Sequence, residues 1–230
     1  MRFLCVIKKK PRILIYFLVQ SIGRLGLLSR ITCIPSLLPV FLILKLGFFP
    51  FYHWIVKILI DEEYWRAAIL LTWQKVAPLT LLCYSNPPHI ILIVNAIAGV
   101  YLLFSSNHLL LILLFSGLAQ GSWVRVIIPS MFTFTYFFAY SIIVMLLTSN
   151  NPITGSFFIL FIALAGFPPL TGFIIKLKAI SLIPANLAII LLVLSVIPIY
   201  CYIRFILSRP LKYPHVNIIS LAVVFIGLMV

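Results

Sequence analysis

Residues 189–197 read Ile-Ile-Leu-Leu-Val-Leu-Ser-Val-Ile, a run broken only by Ser195. A strand of a membrane β-barrel alternates apolar and polar residues, so a run without alternation points to helix. The same character extends over the whole chain: its 230 residues are 64% hydrophobic and 9% charged, with a mean hydropathy of +1.25. Soluble domains carry about 25% charged residues, so the solvent of this chain is lipid. Lipid cannot satisfy free backbone groups, which leaves only helices or a closed barrel. At roughly 20 residues per span, about nine apolar segments emerge: Ile13–Leu28, Ile34–Ile55, Ala67–Tyr84, His89–Phe104, His108–Val124, Pro129–Leu147, Ser156–Lys176, Ile183–Leu207 and Val216–Val230. The expected fold is all-α, a polytopic transmembrane helix bundle in which residues 1–230 form a single transmembrane domain. No segment remains for a water-soluble domain, which excludes most enzymes acting on soluble substrates.

A formal net charge of +14 points to the positive-inside rule rather than to nucleic acid. Lys8, Lys9, Lys10 and Arg12 precede the first span, so the amino terminus is expected on the inner, negative side. The loop of Lys57 and Arg66 and that of Arg209 and Lys212 then fall on the same side, whereas Arg30, Arg125 and Lys178 fall on or near the other. The short apolar segment Phe3 to Ile7 comes before the strongest charges, the reverse of a cleavable signal. So many spans are hard to import after synthesis, and the chain is expected to be made beside its membrane.

Cys5, Cys33, Cys83 and Cys201 never pair as CxxC, and His53, His89, His108 and His215 have no metal-ligand spacing. No cofactor is therefore expected in this chain. The chemistry rests on lysines instead. An ionisable side chain at the bilayer centre costs about 2.5–3.5 kcal/mol on insertion scales, and three lysines fall there. Lys45 lies between Pro35 and Trp54, Lys75 sits midway along Ala67–Tyr84, and Lys176 follows Gly166-Phe167-Pro168-Pro169. Arg204, Arg209 and Lys178 lie close enough to span ends to snorkel to the interface. Lys45 and Lys75 are about 14 Å from either end at the helical rise, beyond comfortable reach. A lysine in a low-dielectric interior can release its proton, whereas arginine stays protonated. A row of such lysines bridged by water is a proton path. Proline cannot donate a backbone hydrogen bond, so Pro168 and Pro169, together with Gly166, predict a broken helix. Such a break is tolerated where it is buried in protein or lines a hydrated cavity.

Three motifs carry a resemblance: Lys45-Leu46-Gly47 with Pro50-Phe51 and Trp54; Thr72-Trp73-Gln74-Lys75-Val76-Ala77-Pro78; and Pro168-Pro169-Leu170-Thr171-Gly172-Phe173 with Lys176. The chain resembles NADH dehydrogenase subunit 2, an antiporter-like membrane subunit of respiratory complex I. The likeness runs from about Tyr16 to the carboxyl terminus and fades in Val124–Thr154 and after Leu207. It implies a proton relay in which Lys45 is the charge-paired lysine, Lys75 the connecting one and Lys176 the terminal site facing the outer exit. It also implies the mitochondrial inner membrane, an amino terminus on the matrix side, other complex I membrane-arm subunits as partners, and flavin and iron–sulfur clusters in those partners.

The sequence departs from the family pattern in places. The family pairs its first lysine with a glutamate on a preceding helix, but the only acids are Asp61, Glu62 and Glu63. The family's amino-terminal helices are expected to be missing, and a separate chain is a candidate source of those helices and of the acid facing Lys45. Leu110, Leu111 and Gln120 stand where the family carries polar or basic residues and a histidine. Tyr52 and His53 reverse the family's order of histidine and aromatic, and His53 is kept as a candidate cavity residue. The leading expectation is a proton-translocating subunit coupled to NADH:ubiquinone electron transfer in other chains. The alternatives are a non-pumping scaffold of the same complex and a cation/proton antiporter subunit, the latter disfavoured by the shortage of acids.

Overall fold

The computed structural model describes residues 2–28, 38–60, 62–83, 89–126, 132–149, 155–167, 170–181 and 184–208. Among the described residues there are eleven α-helices and no strand. The first expected span lies in α1 (Arg2–Leu28), which also takes in the basic residues before it. The second divides into α2 (Leu38–Leu46) and α3 (His53–Leu59), and the third into α4 (Tyr64–Leu71) and α5 (Trp73–Cys83). Three unbroken helices follow: α6 (His89–Ser105), α7 (Leu109–Val126) and α8 (Phe132–Ser149). The seventh span divides into α9 (Gly155–Ala165) and α10 (Thr171–Ser181), and the eighth is α11 (Ala185–Leu207). The ninth expected span, Val216–Val230, lies outside the described residues. The expectation of one helix per span is thus corrected: three spans are broken, where one break was expected.

Two of the breaks use the same device. Gly47 has φ +67° and Gly166 has φ +81°, a left-handed conformation that glycine adopts without Cβ penalty. The Gly47 N–H donates to the Leu44 carbonyl at 3.1 Å and the Phe48 N–H reaches back to Ile43 at 3.0 Å. Gly166 and Phe167 repeat this with Ala163 and Ile162, at 3.1 and 3.3 Å. Both are glycine caps that satisfy the last carbonyls of a helix. The expected break at Gly166 is therefore present, while Pro168 and Pro169 lie outside the described residues. At the third break Thr72 stays in the right-handed region but is distorted, with φ −112° and ψ −73°, its N–H still bonded to the Ala68 carbonyl, and its hydroxyl donates to the same carbonyl at 2.8 Å.

Polar side chains pin the breaks. The Phe49 N–H, freed where α2 ends, donates to Asn95 Oδ1 at 3.0 Å. The Asn95 amide in turn donates to the Leu118 carbonyl at 2.8 Å and to Ser122 Oγ at 3.2 Å. One buried asparagine thus ties the α2–α3 break to α6 and α7. Trp54 Nε1 also donates to the Leu44 carbonyl at 3.1 Å, a second bond on the acceptor that takes the Gly47 N–H.

Helix α6 packs on α7, α4 on α8, α8 on α9, and α11 on α6 and α9. Taken singly, one helix among the described residues, α11, is long and apolar enough to cross a bilayer; α6 to α9 and residues 13–26 of α1 carry shorter apolar stretches. Outward-facing Ile189, Val193, Val196, Tyr200 and Leu207 on α11, and Ile13, Leu14, Phe17 and Leu25 on α1, are exposed. Apolar faces of this extent are what lipid or partner subunits cover.

Candidate functional site

The breaks place two of the three lysines in the interior. Lys176, on α10, is 6% exposed, and its Nζ donates to the Ala165 carbonyl at 2.8 Å. That carbonyl belongs to the last turn of α9, where unpaired C=O groups concentrate negative partial charge. Breaking the helix at Gly166 creates that end, and α10 returns Lys176 to it. A Cβ on Gly166 would lie 2.9 Å from Lys176 Nζ, so the glycine supplies both the turn and the room for the ammonium.

Lys75, on α5, is 5% exposed, and its Nζ has no hydrogen-bond partner among the described residues. It reaches α7 at Gly117, where an added Cβ would meet Lys75 Nζ at 3.2 Å and Tyr140 Oη at 2.7 Å. The ammonium and the phenol therefore both border the space beside that glycine. Tyr140 Oη also donates to the Leu113 carbonyl at 3.4 Å, and Ser116 Oγ donates to the same carbonyl at 2.9 Å. One turn before Tyr140, the Tyr136 hydroxyl donates to Gln120 Oε1, and Gln120 Nε2 donates to the Leu164 carbonyl at 3.3 Å. Tyr202 of α11 is 2% exposed, and its hydroxyl has no hydrogen-bond partner among the described residues.

Between these groups and Lys176 lies a cavity of about 30 Å³, lined by Gln120, Tyr136, Tyr140 and Lys176 together with apolar residues. A cavity of this size has room for a water molecule, and its polar lining offers the partners that a buried water needs. Polar groups thus follow one another from Lys75 on α5, past Gly117 on α7 and Tyr140 on α8, to the cavity that Lys176 of α10 lines.

The other expected residues lie elsewhere. Lys45 occupies the last turn of α2 and is partly buried, its stem beside Gly23 of α1. A charge acting on it is a second cation, Arg24. Among the described residues no carboxylate pairs with Lys45, Lys75 or Lys176; Glu62 and Glu63 both face Arg66, at 3.8 and 3.6 Å, and Asp61 lies outside the described residues. His53 is exposed at the start of α3, its ring edge-on to Tyr52 at 4.2 Å between centroids, apart from these groups. Arg204 sits at the end of α11, as expected of a snorkelling residue, and donates to the Phe104 carbonyl at 2.9 Å and to Asn107 Oδ1 at 3.2 Å.

Sequence reasoning missed Asn95, Ser116, Gly117, Tyr136, Tyr140 and Tyr202, and read Gln120 only as a departure. The available signal was Tyr136 and Tyr140, four apart and so on one face of a helix in an otherwise apolar span.

No protein-family model matches the chain. It is 26% identical to NADH-ubiquinone oxidoreductase chain 2 of Lumbricus terrestris, over 88% of this chain and 73% of that one. Its identity to the protein of the same name from Oryctolagus cuniculus is 29%, over 88% and 72%. With the Lemur catta protein identity is 30%, over 76% of this chain and 60% of that one. Among solved structures it matches a chain of respiratory complex I from Thermus thermophilus with a TM-score of 0.74 and 17% identity, over 94% of this chain and 64% of that one. The chain therefore spans about three fifths to three quarters of the length of these relatives, and the structural match establishes the shared fold.

Proposed function

The chain is a homologue of NADH-ubiquinone oxidoreductase chain 2 over most of its length, and from that premise we propose that it serves as a membrane-arm subunit of respiratory complex I that moves protons through buried lysines. The observation that carries the reading is the pair Lys75 and Lys176, both buried inside a helix bundle, with Tyr140 beside the Gly117 position that Lys75 reaches and also lining the cavity at Lys176. A lysine there can hold or release a proton as its surroundings change, and water beside the intervening polar groups can carry that proton between sites. Electron transfer from NADH to ubiquinone belongs to partner subunits, which hold the flavin and the iron–sulfur clusters. The scattered cysteines of this chain support that division.

The proposed site is the mitochondrial inner membrane, with the amino terminus on the matrix side. The basic cluster Lys8 to Lys10 supports this orientation. Lys176 stands as the terminal site, held by the carbonyl end of α9 until its proton leaves for the opposite compartment. Lys45 completes the relay once another chain provides a carboxylate to oppose it and Arg24.

The decisive experiment replaces Lys75 with methionine, which keeps the stem and removes the charge. In vesicles containing the assembled complex, Lys75→Met is expected to lower the number of protons translocated per NADH oxidised. A ratio equal to that of the unmodified complex would mean that the chain is a scaffold without a pumping role.

A further inference from the structure

Lys75 and Lys176 stand on helices separated by α7 and α8, and neither side chain reaches the other directly. What lies between them is a set of hydroxyl groups. Gly117 lacks the side chain that would otherwise fill the space between Lys75 Nζ and Tyr140 Oη. Tyr140 lines the small cavity whose far wall is Lys176, and Tyr136 lines the same cavity one turn away. The Tyr136 hydroxyl is held in place by Gln120. Among the described residues every other lining residue of that cavity is apolar, so no alternative proton carrier among them faces it.

We infer that Gly117 is a window through which Lys75 passes its proton to Tyr140, and that the hydroxyls of Tyr140 and Tyr136, with a water in the cavity, carry it on to Lys176. This rests on the pumping role proposed above and assigns the residues that connect its two buried lysines. A tyrosine hydroxyl is both donor and acceptor. It accepts a proton on its oxygen while releasing its own, so each oxygen gains one O–H bond and loses one, and no redox step is involved. Lys75 ends neutral, and Lys176, its own proton already delivered to the exit, ends as the ammonium. At rest the Tyr136 hydroxyl donates to Gln120 and the Tyr140 hydroxyl to the Leu113 carbonyl, so each turns from that acceptor toward the cavity water as it passes its proton on, and Gln120, as a positioning residue, returns the Tyr136 hydroxyl to its starting direction. Phenylalanine in place of either tyrosine fills the same space but cannot carry a proton.

The test compares Tyr140→Phe, Tyr136→Phe, Gly117→Ala and Lys75→Met in the assembled complex, reconstituted in vesicles with NADH and a soluble quinone, with assembly followed on native gels. The expected result is that Tyr140→Phe and Gly117→Ala lower the protons translocated per NADH to the Lys75→Met value. Tyr140→His, which restores a group able to accept and donate a proton, is expected to recover part of the ratio. A merely structural tyrosine would not respond in this way. If Lys75→Met lowers the ratio while Tyr140→Phe and Gly117→Ala leave it unchanged, the window is overturned and the pumping role stands. If Lys75→Met itself leaves the ratio unchanged, both fall together. Should Tyr140→Phe fail to assemble, Tyr136→Phe reads the same relay one turn away, with the same two outcomes.

Discussion

An ammonium group inside a bundle must find either a countercharge or an oriented dipole, and Lys176 finds the second. Its contact with the Ala165 carbonyl replaces an ion pair with the end of a helix, an arrangement worth up to about 2 kcal/mol in partly buried geometries. Because no carboxylate is fixed to it among the described residues, the charge is held without being locked. Gly166 is the residue on which this depends. Gly166→Ala is expected to cost roughly 1–2 kcal/mol from the left-handed backbone alone, and its Cβ would crowd Lys176 Nζ. Thermal denaturation of the purified complex should show the loss of stability, and proton translocation should fall with it. Lys75→Arg offers a complementary check. It keeps the positive charge but cannot release it at physiological pH, so it is expected to lower the protons translocated per NADH as fully as Lys75→Met.

The breaks shift the structure from uninterrupted spans to half-helices, and each half-helix end needs partners for its free backbone groups. Asn95 supplies them at the α2–α3 break and binds α6 to α7 at the same time. Asn95→Leu would leave the part-buried Phe49 N–H without its partner, at no more than the roughly 1–3 kcal/mol of a fully buried group. Lower retention of the subunit on native gels at raised temperature is the expected outcome. The lysines were legible in the sequence because a charge within a 20-residue apolar segment stands out by position alone. Their polar neighbours were not. Tyrosine and glutamine occur throughout apolar helices, and only packing of α7 against α8 turns Tyr136, Tyr140 and Gln120 toward one another. The extra breaks at Gly47 and Thr72 were hidden for a related reason: a glycine or a threonine inside an apolar segment is compatible with continuous helix, and tertiary contacts decide.

Across the molecule, positive charge has little to balance it: 17 lysines and arginines face 3 acids. Lys45 packs its stem on Gly23 of α1, next to Arg24 and beside an exposed apolar face of α1, so opposing charge is expected from outside the described residues. A structure of the assembled complex should show a carboxylate within about 4–6 Å of Lys45, the range in which opposite charges act strongly. Lipid or an apolar side chain at that place would remove Lys45 from the relay. The sequence by itself determined that the chain is a membrane helix bundle and which lysines are costly, because hydropathy and charge are properties of residue type and order. Only the tertiary structure decided which of those lysines have polar groups between them, since that depends on which helix faces meet. Half-helix ends and aligned side-chain tips exist only once segments distant in sequence have packed together.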